Sequence, residues 1–419
     1  MPGFGAGLQQ MSRREWILLA LLVASIFINY IDRSNLSIAA PLLEREFTLS
    51  PEKLGLLLSS FSWTYAFIQL FGLAGWLADR YPVTHVLTAG FVLWSIATIA
   101  TGLVSGFESM FVWRLILGAG ESLAYPCYSR LFASFIPQHH RGRANAFLDA
   151  ASKLGPAIGT ALGGLLLTRI GWRMFFIFLG GLSVLWLVPW LAYLPHLKTD
   201  QAEHRRELES AGGLLRSRSA WGTFCGHFCG NYFWFFLLTW IPSYLVRERG
   251  LTIGWMASVV STALLVVAGS TVLAGWISDR LIARGSSVTK VRKSVVVSGL
   301  AGSSVILPVA FTSNVSVSVL LLLCACLAFG AYTSNHWAIT QTLAGSSMAG
   351  RWTGLQNGIG NISGILAPWL AGYIVQTSGS SKLAFVISAS IVLAGALFWG
   401  FVVGPVEQIC WNSRRDGRS

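Results

Sequence analysis

Charge is scarce in this chain. Asp, Glu, Lys and Arg make up only 11% of its 419 residues. A water-soluble domain carries about 25% charged residues, so a soluble enzyme or binding module is excluded. Cysteine is sparse too. Of the six cysteines, neither Cys225 with Cys229 nor Cys324 with Cys326 has partners at zinc-ligand spacing. They read as packing residues, and no metal is expected. No nucleophile–base pair or cofactor motif occurs, so neither an enzyme nor a cofactor is expected. Long polar stretches are missing as well. The one extended polar run, about 196–220, holds His196, Lys198, Asp200, Glu203, Arg205, Arg206, Glu207 and Glu209. It is too short for a signalling domain, which weighs against a membrane-bound sensor.

What is present is apolar. Hydrophobic residues make up 54% of the chain, with 18 Trp and 25 Phe. A helix needs roughly 20 apolar residues to cross a bilayer. The runs predict spans at about 16–41, 54–78, 86–107, 109–136, 144–168, 172–194, 221–246, 255–278, 294–313, 316–343, 352–376 and 382–405. The expected fold is an all-α membrane protein with twelve transmembrane helices in two six-helix bundles. Residues 1–195 form the first bundle, 196–220 a cytoplasmic linker and 221–419 the second bundle. The first run, from near Trp16, is too long for a signal peptide and leads into further spans.

The net charge of +13 reads as topology and not as nucleic-acid binding, because the basic residues sit between apolar runs. The larger share of Lys and Arg lies with the chain ends and the even-to-odd loops, including Arg141, Arg143, Lys290, Arg292, Lys293, Arg414 and Arg415. By the positive-inside rule both termini face the cytoplasm of a multi-pass inner-membrane protein.

An internal repeat marks the two halves. Leu73-Ala74-Gly75-Trp76-Leu77-Ala78-Asp79-Arg80 recurs as Leu273-Ala274-Gly275-Trp276-Ile277-Ser278-Asp279-Arg280, about 200 residues later. Asn29-Tyr30 recurs as Asn231-Tyr232, and Arg143 through Gly164 resembles Arg351 through Gly372. Two six-span halves in parallel repeat suit alternating access, in which bundles rock about a central site.

The Asp79-Arg80 element and its echo at Asp279-Arg280 resemble the gating signature of the major facilitator superfamily. Four further motifs resemble its anion:cation symporter family. They are Asn29-Tyr30-Ile31-Asp32-Arg33 in span 1, Arg114 with Gly120-Glu121 in span 4, Asn231 through Trp240 in span 7, and Gly354 through Asn361 in span 11. That family includes bacterial galactonate, glucarate and hexuronate transporters and sialin-like carriers. The resemblance implies proton coupling by Asp32 and Glu121 and carboxylate binding by Arg33 and Tyr30. Tyr81-Pro82-Val83-Thr84-His85 departs from the usual Gly-rich basic continuation of the loop, and the Asp149/Lys153 pair is not part of the general family pattern.

Ionisable residues near a bilayer centre cost about 2.5–3.5 kcal/mol each. Those inside the spans are Asp32, Arg33, Arg114, Glu121, Arg130, Asp149 and Lys153, all in the first half. The second half offers neutral polar groups: His227, Asn231, Asn335, His336, Gln341, Gln356, Asn357 and Asn361. Arg130, near a span end, reads as a structural latch. Arg114 and Glu121, seven apart, share a helix face, and Asp149 can pair with Lys153 four residues on. Structural ion pairs are the bland alternative, but buried pairs add little net stability. Protonating the acids frees Arg and Lys for an anion, which makes proton and anion binding mutually favourable.

The substrate candidates are therefore Tyr30, Arg33, Arg114, Lys153, Asp149, His227, Asn231, Trp234, Asn357 and Asn361. The expected function is proton-coupled symport of a small organic anion, a sugar acid first. The alternative is an aromatic or dicarboxylic acid carrier, or an uncoupled facilitator. The expected partners are that anion, protons and the lipid bilayer, with no nucleic acid and a monomeric protein. The Gly159/Gly163 and Gly360/Gly364 pairs read as surfaces for close helix approach.

Overall fold

The computed structural model describes residues 11–136, 141–197 and 212–409, and every regular element among them is helical. Most of the expected linker thus lies outside the described residues. Side-chain caps set where several helices begin. At the start of span 1 (Arg13–Glu46), Ser12 Oγ accepts from the Glu15 N–H while the Glu15 carboxylate accepts from the Ser12 N–H. Ser50 caps span 2 (Pro51–Leu70), whose first residue is a proline with no N–H to satisfy. Thr252 caps span 8 (Ile253–Ala283) and Ser287 caps span 9 (Val288–Ser303).

Glycines in the left-handed region join helices without long loops. Spans 5 and 6 are the two arms of Arg141–Tyr193, parted at Gly171, φ 71°. Spans 10 and 11 are the arms of Val315–Ser378, parted at Gly345, φ 65°. Span 3 is Val83–Thr101, and span 4 is Phe107–Ser122 continued by Ala124–Phe135. Span 7 runs from Arg218–Phe235 through a π turn, Phe236–Trp240, to Ile241–Arg247; span 12 is Lys382–Leu397. Seven of the described helices are long and apolar enough to cross a membrane. Separating the arms joined at Gly171 and restoring the interrupted helices gives twelve crossings in two six-helix bundles.

The sequence repeat folds in two ways. Gly72, φ 67°, breaks the chain so that Leu73–Arg80 is a separate short helix. Val272 stands at the matching position, and span 8 runs through its copy unbroken.

Lipid-facing side chains are bare. Leu185, Val188, Val272 and Phe401 are 60%, 66%, 73% and 75% exposed, which water would not tolerate on this scale. The buried core divides unevenly. Leu22, Phe91, Trp94, Leu117 and Tyr128 form a core within the first bundle, on the side where spans 1 and 7 begin (the terminal side). Leu36, Leu43, Leu54 and Ala157 of the opposite, far side belong instead to one core shared with Trp240, Trp352 and Trp399 of the second bundle.

The bundles join on the far side, and spans 2 and 11 stay in contact toward the terminal side, where a Cβ on Gly358 would come within 2.9 Å of Leu70. A Cβ on Gly55 would come within 2.4 Å of the Pro368 carbonyl and one on Gly164 within 2.2 Å of Ala257. Ser261 donates to the Ala157 carbonyl at 2.7 Å, and Arg247 pairs with Glu44 at 3.1 Å. Toward the terminal side, the Asp149 side chain is 56% exposed.

Candidate functional site

Span 1 carries Asn29, Asp32 and Arg33 one helical turn apart at mid-membrane. The Arg33 guanidinium donates from Nε to Glu121 Oε2 of span 4 at 2.9 Å. Aromatic rings surround it: Tyr30 at 4.5 Å, Tyr65 at 4.6 Å and Phe61 at 5.1 Å from the guanidinium carbon. Each ring face attracts the cation. Tyr30 and Tyr125 hydroxyls meet at 3.2 Å beside it. Arg33 is 8% exposed at its side chain and Glu121 is sealed.

Behind this pair lies a second layer. Arg114 donates to the Asp32 carbonyl at 3.4 Å and lies over Phe61 at 5.6 Å. The Asp32 carboxylate accepts from Asn35 at 3.1 Å. Asn29 lies against Glu121 and Thr98 against Asp32, without meeting hydrogen-bond geometry. Asp32 and Arg114 are 2% and 3% exposed. Arg114, expected as a substrate ligand, is thus placed inside the first bundle, behind Arg33. Asp32 Oδ2, Glu121 Oε1 and Arg33 Nη2 are buried with no partner. Leaving buried polar atoms of charged groups unsatisfied is costly.

Lys153 of span 5 pairs with Asp149 at 2.6 Å, the two side chains 16% and 56% exposed. Lys153 lies within electrostatic range of His336 of span 10. There His336 stacks on His227 of span 7 with centroids 5.1 Å apart, and Trp337 packs on both. The Tyr332 hydroxyl lies 3.4 Å from His227 Nδ1. Gly360 of span 11 admits His227 and Asn231, since a Cβ there would come within 2.5 Å and 2.8 Å of them. Asn361 donates to the Asn357 carbonyl at 2.8 Å, and Trp234 stacks on Phe329 at 6.3 Å.

The gating residues are less engaged. Of Asp79 no side-chain position is described. Arg80, Asp279 and Arg280 are exposed, and none of the described ion pairs includes them. Arg280 lies over Trp276 at 5.0 Å. Arg130 donates to the Ala78 carbonyl at 2.5 Å, tying span 4 to the end of the short helix. Sequence reasoning missed Phe61, Tyr65, Tyr125, Asn35 and Thr98. A tyrosine in the middle of an apolar run, as at 65 and 125, is the signal that points to two of them, since its hydroxyl needs a partner.

Residues 22–368 match the family model described as Major Facilitator Superfamily. The chain belongs to the major facilitator superfamily. It is 32% identical to the protein named "Probable sulfoacetate transporter" of Cupriavidus necator, covering 93% of this chain and 94% of the relative. It is 31% identical to the "Probable galactarate/D-glucarate transporter" of Escherichia coli, covering 96% of each. Those relatives accord with the anion:cation symporter branch that the span motifs resemble. A solved bacterial homologue of the lysosomal transporter Spinster superposes with a TM-score of 0.77 at 17% identity, covering 93% of this chain and 97% of that one. This superfamily member is a multi-pass membrane transporter and not an enzyme.

Proposed function

We propose that the protein is a proton-coupled symporter of a small organic acid, a sugar acid first, working by alternating access. The observation that carries this reading is the Arg33–Glu121 bond at 2.9 Å inside an aromatic cage. An ionised Glu121 occupies the one guanidinium that faces the cleft from span 1. When Glu121 takes a proton, Arg33 is released to hold a substrate carboxylate with its planar fork, while Tyr30 offers a hydroxyl. Asp32 shares the buried pocket and serves as the second proton site. Relatives named for sulfoacetate, galactarate or D-glucarate, and D-galactonate support an anionic substrate.

Lys153, on the cleft wall away from Arg33, favours a substrate with a second acidic end, an aldarate or a dicarboxylate. His227, Asn231, Trp234, Asn357 and Asn361 read the middle of the chain from the other bundle. We take residues 1–195 and 221–419 as rocking halves joined by a cytoplasmic linker at 196–220. Both termini then face the cytoplasm, the protein lies in the cell membrane as a monomer, and the cleft opens inward. The test is purified protein in proteoliposomes, with external pH followed on addition of galactarate, glucarate, galactonate or sulfoacetate. Alkalinisation driven by one of these acids supports the reading. Uptake with no proton movement leaves a facilitator, and uptake of neutral sugars alone rejects the anion assignment.

A further inference from the structure

In the polar wall of the second bundle, one imidazole has a fixed end and a free end. His336 Nδ1 lies 3.1 Å from the Thr333 carbonyl oxygen. A carbonyl can only accept, so Nδ1 carries the hydrogen. In the neutral ring Nε2 then holds a bare lone pair. That atom has no partner, although His336 is only 5% exposed. Stacking on His227 at 5.1 Å and Tyr332 at 4.9 Å holds the ring plane. Lys153 of the first bundle lies within electrostatic range of the ring, and its ammonium donates to Asp149 at 2.6 Å.

A fixed acceptor within electrostatic range of a cation suits a particular chemistry. A carboxylate alone would bring another acceptor to the lone pair. An acid bearing hydroxyls can place an anionic oxygen on Lys153 and donate an O–H to His336. We propose that His336 Nε2 is a specificity-determining acceptor for a substrate hydroxyl, so that the cleft selects hydroxylated acids over acids of equal length and charge that lack them. This rests on the organic-acid reading above and decides within it. Relatives of similar identity are named for sulfoacetate, which has no hydroxyl, and for galactarate and glucarate, which are hydroxylated along the chain.

Glucarate and adipate share a carbon chain and both carboxylates and differ only in hydroxyls. Binding of each to the purified full-length protein is measured by calorimetry for wild type, His336→Phe and His336→Gln. Leaving a buried acceptor unpaired costs enough to weaken binding by roughly 10-fold or more. Wild type is expected to prefer glucarate by at least that factor. His336→Phe is expected to bring glucarate down toward adipate while leaving adipate unchanged. His336→Gln, whose side-chain carbonyl can accept, is expected to keep part of the preference. Equal binding of both acids by wild type, or a Phe variant that keeps the preference, overturns the role of His336 alone. Equal loss of both acids in both variants assigns His336 to packing of the stack and also overturns it. Failure of wild type to bind either acid overturns this inference, and binding of neutral sugars in their place overturns the organic-acid reading with it.

Discussion

Glu121→Gln separates the coupling mechanism from a structural role. In the resting arrangement the Glu121 carboxylate takes the Arg33 Nε hydrogen at 2.9 Å, sealed from solvent. A hydrogen bond between charged groups contributes about 1.5–3 kcal/mol. If substrate and Glu121 compete for Arg33, that figure is the coupling free energy. It corresponds to roughly a 10- to 150-fold change in substrate affinity between ionised and protonated Glu121. The sign follows from linkage: binding tightens as pH falls, and bound substrate makes the carboxyl harder to ionise by the same factor. Glutamine mimics the protonated acid. Glu121→Gln is therefore expected to bind substrate more tightly than wild type near pH ~8 and to keep only the pH dependence that Asp32 contributes. It is expected to keep counterflow exchange and to lose accumulation driven by a proton gradient. Calorimetric titration at several pH values gives the first result and proteoliposome uptake the other two. A variant as pH-dependent as wild type, or one that loses counterflow together with accumulation, refutes the competition argument.

Arg33→Lys keeps the charge but loses the planar fork and its fit among Tyr30, Phe61 and Tyr65. Substrate affinity is expected to fall roughly 10- to 100-fold, read in the same titration. Gly55→Leu places a side chain where the Pro368 carbonyl and Gly372 now lie. It is expected to pry the far side open, so that Pro51→Cys on this background reacts faster with a membrane-impermeant thiol reagent from that side than Pro51→Cys alone. Asp149→Asn removes an ion pair whose acid is 56% exposed, so thermal stability is expected to change by no more than about 0.5 kcal/mol. Lys153→Met is expected to weaken binding of diacids more than of monoacids, measured as the ratio of their dissociation constants.

Much of the architecture is legible in the residues because the bilayer imposes it. Apolar runs of spanning length, the single polar stretch near 196–220 and the repeat at Leu73 and Leu273 suffice for two six-span halves. The pairing of Asp149 with Lys153 is legible too, because four residues on a helix bring two side chains together. Contacts across helices are not. Nothing in spacing says that Glu121 meets Arg33 and leaves Arg114 to the Asp32 carbonyl, because that choice depends on helix rotation and packing. Phe61 and Tyr65 look like ordinary span aromatics until Arg33 is placed between them. The unequal fate of the repeat turns on one residue, Gly72 against Val272, which a comparison of the eight matching positions passes over.

The far-side seam is built to come apart. Its closest approaches are backbone against backbone at Gly55, Gly372 and Pro368, and methyl against glycine at Ala257 and Gly164. Separating such surfaces strands few polar groups. Among the described residues, the directed bonds across the seam are the Ser261 hydroxyl to the Ala157 carbonyl and the Arg247–Glu44 pair, 28% and 19% exposed. A neutral hydrogen bond contributes about 1 kcal/mol net and a surface ion pair about 0–1 kcal/mol. Within the first bundle, by contrast, removing either Arg33 or Glu121 leaves its partner's charge buried and uncompensated, which costs about 3–5 kcal/mol. The weak bonds thus lie between the bundles and the strong ones inside the first. By its polar bonds alone, parting the bundles costs less than rearrangement within the first half, and the apolar core shared across the far side is the main term that opposes it. In the proposed mechanism, a proton or substrate that rebalances the Arg33 pocket must favour one packing of the bundles by its difference in affinity for the two.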